Sequence, residues 1–449
     1  MRERSFPVCR KNSLFMRMML ALLTVRFLGW VLRLFGRGSN KPGVIALKIC
    51  PDILGKFQFR GKVLAVTGSD GKTSTVNVIA HILRQCGKTV AVNSKGSNLK
   101  PGIVTALATA SDWKGVLKQD FVVLEVDERY SVEVFSWFTP DMMLITNLFR
   151  DQLTRNGNVD CVAEKLRQAI APSVKLILNG DDPISSSLCR ENPRVYFTLA
   201  DNEKSQREME FLTNDAKVCP LCLHPLSYQY YLYNHIGSFA CAHCGFHTPE
   251  APEYTADNLD FAGESFTVNG QTVKTSFMAL FHIMNVTSAI ACAVELGIPL
   301  EQAAEAASTF VYLKSRMKEF SVCGRRALML LSKNQNPISF DQSISCVLDE
   351  EGEKSVIIYV NNINHTNFKD TTWLYDISFH RLKGQVDSIV CTGPRALDLA
   401  VCLKLEGFEE EIKVECDLNK LRSVVDQTKG TLLILTELYD ANAVIKAIS

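Results

Sequence analysis

Short apolar runs alternate with amphipathic stretches through the first half of the chain. The runs are KVLAVTG, TVAVNS, FVVLEVDE, DMMLITN and VKLILNG, and stretches between them, such as SDGKTSTVNVIAHILRQCG, have the apolar spacing of helices. This alternation of strands and helices is typical of a doubly wound, mostly parallel sheet. We therefore predict an α/β fold in which ligands bind beyond the carboxyl ends of the strands.

The alternation stops at one place and then resumes. From about residue 201 to residue 257 the chain is polar and aromatic, and it carries four clustered cysteines. Beyond FMALFHIMNVTSAIACAVELG, a second series of apolar runs (RALMLLSK, SVIIYVNN, SIVCTG and GTLLILTE) continues to the end. We predict an N-terminal amphipathic helical segment at 1–55, a central domain at 56–312 with an insertion at 201–257, and a C-terminal α/β domain at 313–449.

The N-terminal segment is apolar, but three arginines interrupt it: Arg17, Arg26 and Arg33. Its longest uncharged run, Met18 to Val25, is eight residues, whereas a membrane-spanning helix needs about 20. Two interpretations remain open: an amphipathic helix packed on the next domain, or a helix lying on the inner membrane face. Both predict a cytoplasmic protein.

Composition narrows the function classes. With 49 Lys and Arg against 48 Asp and Glu, the formal charge is +1, so no field of the whole chain favours nucleic acid. The apolar share of 47% and the charged share of 22% are typical of a globular protein. Most of the 15 cysteines stand singly in apolar stretches, which indicates a reducing compartment.

The segment from Thr67 to Ser74, TGSDGKTS, follows an apolar strand and opens a helix. Phosphates need this arrangement: Gly68 and Gly71 let the backbone approach the anion, and N–H groups at the helix N-terminus point at it. Lys72 neutralises charge and Thr73 can hold Mg²⁺. Although the spacing is shorter than the common G-x-x-x-x-G-K-[ST], we predict a phosphate loop.

The acidic sequence EVDE ends the apolar run FVVL. Carboxylates beside a nucleotide phosphate are natural Mg²⁺ ligands, because a hard cation takes one or two protein oxygens and keeps water. Glu125 is the strongest candidate for this magnesium ligand.

Four cysteines in the insertion have the spacing C-x2-C-x18-C-x2-C. That spacing is typical of a zinc ribbon, in which four thiolates close a tetrahedral site and leave no open position for substrate. We therefore predict a structural zinc site whose ligands are Cys219, Cys222, Cys241 and Cys244. Three nearby histidines are more typical of surface positions than of ligands: His224, His243 and His247.

Five segments in the order TGSDGKTS, EVDE, TNLFRDQL, LNGDDP and MNVTSAIA resemble the Mur ligase family. Within that family, the cysteine insertion together with GSNLKPGI, RDQLTRNG and DTTWLYD is similar to the ligase subunits of lipid II isoglutaminyl synthases. The resemblance covers essentially the whole chain. It implies a central ATP-binding domain of Mur-ligase type, an inserted zinc ribbon and a C-terminal α/β domain.

The resemblance also implies a reaction and a partner. ATP would phosphorylate the α-carboxylate of D-glutamate in the lipid II stem peptide, and ammonia from a separate glutamine amidotransferase subunit would displace phosphate to give D-isoglutamine. The two subunits would form a heterodimer that meets lipid II at the inner membrane face.

The resemblance also implies roles for the residues of this chain that stand at the family's motif positions. Four residues would hold the phosphates of ATP: Gly68, Gly71, Lys72 and Thr73. Glu125 and Thr73 would coordinate Mg²⁺, Asn285 would contact adenine, and Lys333 would reach the nucleotide. Asp370 or Asp376 would complete the catalytic triad of the glutaminase partner.

Two other functions stay open at this point. One is a Mur-type ligase that adds an amino acid instead of ammonia. The other is a non-catalytic scaffold that binds ATP and is built on the zinc ribbon.

Overall fold

The computed structural model describes residues 8–34, 40–93, 97–151, 158–311, 317–333, 335–361, 371–408, 412–438 and 440–448. Asp370, a predicted candidate for the catalytic triad of the partner, lies outside these ranges.

A central sheet organises the first two thirds of the chain. Its strands are β2 (Lys62–Thr67), β3 (Val90–Val92), β5 (Phe121–Glu125), β6 (Met142–Ile145), β7 (Lys175–Asn179), β8 (Arg194–Leu199), β11 (Tyr254–Asp260), β12 (Ser265–Val268) and β13 (Gln271–Lys274). Within the described ranges the order is β13-β12-β11-β8-β7-β6-β2-β5-β3, parallel from β3 to β11 and antiparallel beyond. The predicted doubly wound, mostly parallel sheet is confirmed.

Helices cover both faces of this sheet. They are α1 (Val8–Leu34), α2 (Lys41–Ile49), α3 (Lys72–Gln85), α4 (Lys100–Ala110), α5 (Ser131–Phe135), α6 (Val159–Ala169), α7 (Pro183–Ser186), α8 (Leu280–Glu295) and α9 (Leu300–Ser308). Side chains alternate along β2, so Leu64 and Val66 pack with α3 and α8, whereas Val63 and Ala65 face the layer that contains α1 and α4. No helix in the described ranges is long and apolar enough to span a membrane.

Two small sheets complete this part. The short strands β1 (Gln58–Phe59) and β4 (Val116–Leu117) pair in parallel, and the insertion forms the antiparallel hairpin β9 (Ser227–Tyr233) and β10 (Ile236–Ala240).

The C-terminal part forms a second sheet. Its strands are β14 (Met317–Val322), β15 (Arg325–Ser332), β16 (Lys354–Tyr359), β17 (Ser388–Thr392), β18 (Ile412–Glu415) and β19 (Thr431–Glu437), in the order β14-β15-β19-β16-β17-β18. Among the described strands of this second sheet, only the β14–β15 pair is antiparallel. The helices are α10 (Pro337–Asp349), α11 (Ala396–Leu405), α12 (Leu421–Val425) and α13 (Ala441–Ile448).

The insertion contacts the C-terminal part through backbone and side-chain hydrogen bonds. The Leu212 N–H donates to Ser378 Oγ at 3.0 Å, and Thr213 Oγ1 donates to the carbonyl oxygen of Asp376 at 2.7 Å. The insertion therefore joins the central and C-terminal sheets.

Candidate active site

The predicted phosphate loop lies between the end of β2 and the start of α3. Gly68 and Gly71 have φ angles of 131° and 83°, in the region that favours glycine. A Cβ atom on Gly71 would lie 2.3 Å from Asn285 Oδ1, so a side chain at this position would have to displace the Asn285 amide. The first turn of α3 thus presents its backbone N–H groups to an anion at close range.

Lys72 is buried at the start of α3 and forms an ion pair with Glu128. Its Nζ lies 2.7 Å from Glu128 Oε1, and it also donates to the carbonyl oxygen of Gly68. Burial raises the pKa of Glu128, and the Lys72 ammonium opposes that shift. The pair fixes a cation beside the phosphate loop.

The predicted magnesium ligands are adjacent. Thr73 Oγ1 donates to Glu125 Oε2 at 2.8 Å, and Asn98 Nδ2 donates to Glu125 Oε1 at 3.1 Å. Burial raises the pKa of Glu125, whereas Lys72 and these two donors lower it. A hydroxyl and a carboxylate next to the phosphate loop are the hard oxygen donors that Mg²⁺ takes, so these residues fit the ion.

Lys333 reaches this site from the end of β15. Its Nζ donates to the carbonyl oxygen of Ser69 at 3.0 Å and pairs with Asp151, which also accepts from Asn336 Nδ2 at 3.1 Å. Burial lowers the pKa of Lys333, but Asp151 and the other nearby carboxylates raise this pKa by a larger amount, so the net shift is upward. Two sheets therefore contribute cations to one site.

A pocket opens beside the phosphate loop. Its walls combine aromatic, aliphatic and polar side chains, among them Phe277, Phe281, Asn285, Leu330, Ser343 and Cys346. This lining matches a small-molecule pocket with a few orienting polar groups. The structure thus brings Asn285 to the phosphate loop, as the adenine assignment requires.

Asp376 lies elsewhere and already has a partner within the chain. Arg150 Nη1 donates to Asp376 Oδ1 at 3.0 Å, while Arg150 Nε pairs with Asp215 Oδ1 at 2.6 Å. Burial raises the pKa of Asp376, and Arg150 opposes that shift. This bridge holds the C-terminal part against the insertion.

The four predicted zinc ligands converge. Their Sγ atoms lie within 4.8 Å of one another, with Cys219 to Cys244 at 3.6 Å and Cys222 to Cys241 at 3.5 Å. Zn–S bonds of about 2.3 Å put tetrahedral sulfurs about 3.8 Å apart, so the cluster fits zinc. The His224 and His243 rings stack at 3.6 Å and are exposed.

The β9–β10 hairpin of the cysteine insertion carries its tip into the core. His235 Nε2 lies 3.4 Å from Asp182 Oδ1, and the His235 ring lies 4.6 Å from that of Phe149. The Phe149 N–H in turn donates to Ser69 Oγ of the phosphate loop at 2.8 Å. The hairpin thus reaches the phosphate loop through Phe149, which contacts both His235 and Ser69.

Several site residues escaped the sequence analysis. Glu128, Asn98, Asp151 and His235 carry contacts that join separate segments. The first three lie in or next to the polar segments EVDE, GSNLKPGI and TNLFRDQL, and that position at strand ends was the available signal. For His235 the sequence offered none, because it lies in a polar insertion.

Comparisons with known proteins agree with this geometry. The model of the Mur ligase middle domain matches residues 66–293, and that of the MurT ligase C-terminal region matches residues 331–441. A Staphylococcus aureus protein, the MurT subunit of lipid II isoglutaminyl synthase (glutamine-hydrolyzing), is 33% identical over 88% of this chain and 89% of its own.

Two solved structures share the fold. The pseudomurein peptide ligase type C from Methanothermus fervidus has a TM-score of 0.68 and 20% identity over 89% of this chain and 81% of its own. The MurF ligase from Thermotoga maritima, in complex with ADP, has a TM-score of 0.60 and 14% identity over 91% and 83%.

The chain therefore belongs to the Mur ligase family of ATP-dependent ligases. Its relatives within that family include the MurT subunits of lipid II isoglutaminyl synthases. The resemblance drawn from the sequence is confirmed.

Proposed function

We propose that this protein amidates the α-carboxylate of D-glutamate in the lipid II stem peptide, using ATP and ammonia from a glutamine amidotransferase partner. The observation that carries the proposal is the convergence of the phosphate loop, the Thr73–Glu125 pair and Lys333 on one site. The name of the S. aureus relative, a glutamine-hydrolyzing synthase subunit, supports the substrate and the nitrogen source.

The reaction has two steps. An oxygen of the substrate carboxylate attacks the γ-phosphorus of ATP, the bond to the bridging oxygen breaks, and ADP leaves. Ammonia then attacks the carbonyl carbon of the acyl phosphate, loses a proton, and inorganic phosphate leaves with the bonding electron pair. The amide replaces the carboxylate.

The protein contributes positioning and charge. Lys72 and the N–H groups of α3 hold the phosphates, and Lys333 adds a second cation as charge moves onto the leaving oxygen. Glu125 and Thr73 would hold Mg²⁺, which would neutralise phosphate charge. Asn285 would orient the base in the adjoining cavity.

The ammonia partner would bind the C-terminal part. Of the two aspartates considered for its catalytic triad, Asp376 is engaged by Arg150 within this chain. We therefore assign the triad role to Asp370 in this proposal.

The deciding experiment measures ADP release by the purified chain with lipid II, with ammonium chloride in place of the partner. We expect ADP release that depends on ammonia, and a stem peptide whose mass falls by the difference between carboxyl and carboxamide. Lys72→Ala should abolish both signals while circular dichroism still reports a folded chain.

Two results would contradict the proposal. A gain in mass on adding an amino acid would indicate a Mur-type ligase of the amino-acid-adding kind. Retained ATP binding without ADP release, at any acceptor or ammonia concentration, would indicate a scaffold.

A further inference from the structure

Helix α1 has two apolar faces on opposite sides. One face is buried against the central part and consists of Met18, Ala21, Leu22 and Val25. The other face, which we call the exposed stripe, consists of Met16, Leu20, Leu23, Phe27 and Trp30. The alternating spacing of four and three residues places all five stripe side chains along one side of the helix.

The exposed stripe is unusual for a surface helix. Its five side chains retain between 48% and 68% of their accessible surface. A contiguous row of large apolar groups on the surface marks an interaction site, whereas single exposed apolar residues need no explanation. Packing within the described chain therefore explains why one face of α1 is apolar, but it does not explain the apolar side chains of the exposed stripe.

Helix α1 is fixed to the central part, so the direction of the stripe is defined. Arg26 Nη2 donates to the carbonyl oxygen of Ser111 at 2.5 Å, and the Arg26 guanidinium lies 3.9 Å from the ring centre of Trp113. These contacts attach the helix to the central part on the side next to its buried face. The exposed stripe therefore points away from the central part.

The charge of the chain is divided unevenly around this helix. Residues 1–55 contain ten Lys and Arg but two Asp and Glu, a net charge of +8, and the remaining residues carry the balance of −7. On the described surface of this segment, Arg17, Lys41 and Lys48 are exposed. A basic segment with a row of Leu, Phe and Trp is the combination that binds the surface of an anionic bilayer.

A second copy of the chain is the competing occupant of the stripe. Two such segments facing each other would bring like charges together, which opposes association. An anionic lipid surface offers both the opposite charge and an apolar layer, and therefore satisfies both features of the segment.

We propose that the exposed stripe of α1 lies in the interface of an anionic phospholipid bilayer, with the basic residues of the segment at the headgroups. The proposal goes beyond the proposed reaction and concerns lipid binding alone. In the proposed reaction, it would keep the enzyme at the surface where a lipid-linked acceptor is found.

The test is flotation of the full chain with vesicles of phosphatidylcholine, with or without phosphatidylglycerol, in the absence of ATP and lipid II. We expect binding to the phosphatidylglycerol vesicles, weakened by added salt because surface charges are screened. The double variant Leu20→Glu, Phe27→Glu should bind at least about tenfold more weakly, since two carboxylates would enter the apolar layer.

The matched control changes another exposed apolar pair, Val401 and Leu405 on α11, which are 51% and 72% exposed. The variant Val401→Glu, Leu405→Glu should float like the wild type. Brominated phosphatidylglycerol should quench the fluorescence of Trp30, and Trp30→Phe should remove most of that quenching.

Absence of binding to phosphatidylglycerol vesicles, or equal binding by the stripe variant and the wild type, would overturn the proposal. A dimer in solution that dissociates in the stripe variant, without vesicle binding, would assign the stripe to a second copy. Because no substrate is present, a failed amidation assay and failed lipid binding are separate results.

Discussion

Lys333 follows a strand of the C-terminal sheet, yet its ammonium donates a hydrogen bond at 3.0 Å to the carbonyl oxygen of Ser69 in the phosphate loop. The contact ties the C-terminal part to the nucleotide site of the central part. Catalytic groups held on two sheets depend on the relative position of those sheets.

Replacing Lys333 with Met should lower kcat/KM for ATP by about 100-fold, because a cation at the leaving phosphate is lost and Asp151 loses its ion-pair partner. Steady-state ADP release measures the change. The matched control is Lys175→Met on β7, which removes an ion pair with Glu295 on α8 and should leave kcat/KM within about twofold of the wild type. Equal effects of the two variants would reduce Lys333 to a structural role.

Gly71→Ala should abolish measurable ATP binding. The left-handed φ of 83° costs a non-glycine residue about 1 kcal/mol or more, and the added methyl would collide with Asn285. Gly87→Ala is the control, since Gly87 has a φ of 75° but no atom within 4 Å of the added Cβ. Calorimetric ATP titration should separate the two variants, and ATP binding by Gly71→Ala would contradict the phosphate-loop geometry.

Cys219→Ser should release zinc and lower the free energy of unfolding by about 2 kcal/mol or more, because metal binding contributes to folding. The zinc content of the purified chain and its thermal unfolding report both effects. Amide exchange near His235 should also rise, since the ribbon hairpin carries that residue into the core. Cys189→Ser, outside the cluster, should keep its zinc; zinc retained at wild-type content by Cys219→Ser would refute the assignment.

Because of the titration of Asp341, the free energy of unfolding should fall as the pH rises. Burial raises the pKa of Asp341 to about 7, above its ordinary value of 3.8, although Ser378 donates to it. The folded state thus binds this proton more tightly than the unfolded state, and its contribution, present below about pH 4, is lost as pH rises through 7.

Asp341→Asn should remove this component, which amounts to about 4 kcal/mol at most. Urea unfolding of both proteins at pH 5 and pH 8 measures it, as the difference between their pH slopes. Asp349→Asn, at an exposed carboxylate on the same helix, serves as the control. Parallel slopes for wild type and Asp341→Asn would contradict the buried, protonated carboxyl.

Local patterns predicted most of the fold, but not the antiparallel end of the central sheet. Strands β2, β5, β6 and β7 are continuous apolar runs because both of their faces are covered. By contrast, β12 and the first half of β11 alternate buried and partly buried positions, and β11 includes polar residues such as Asp257 and Asn258. These strands, which lie just inside the β13 edge of the sheet, were not predicted, since the sheet and not the sequence alone decides which of their sides is covered.

The sequence by itself determined the features that depend on neighbouring residues. The phosphate loop is one continuous segment, and the spacing of two Cys pairs is enough to predict a four-thiolate cluster. Only the tertiary structure decided that Lys72 pairs with Glu128, that Lys333 reaches Ser69, and that Arg150 engages Asp376. Such contacts join residues far apart in the chain. They form only when the sheets and the insertion pack together, because burial and charge pairing act through space and leave no periodic pattern in the sequence.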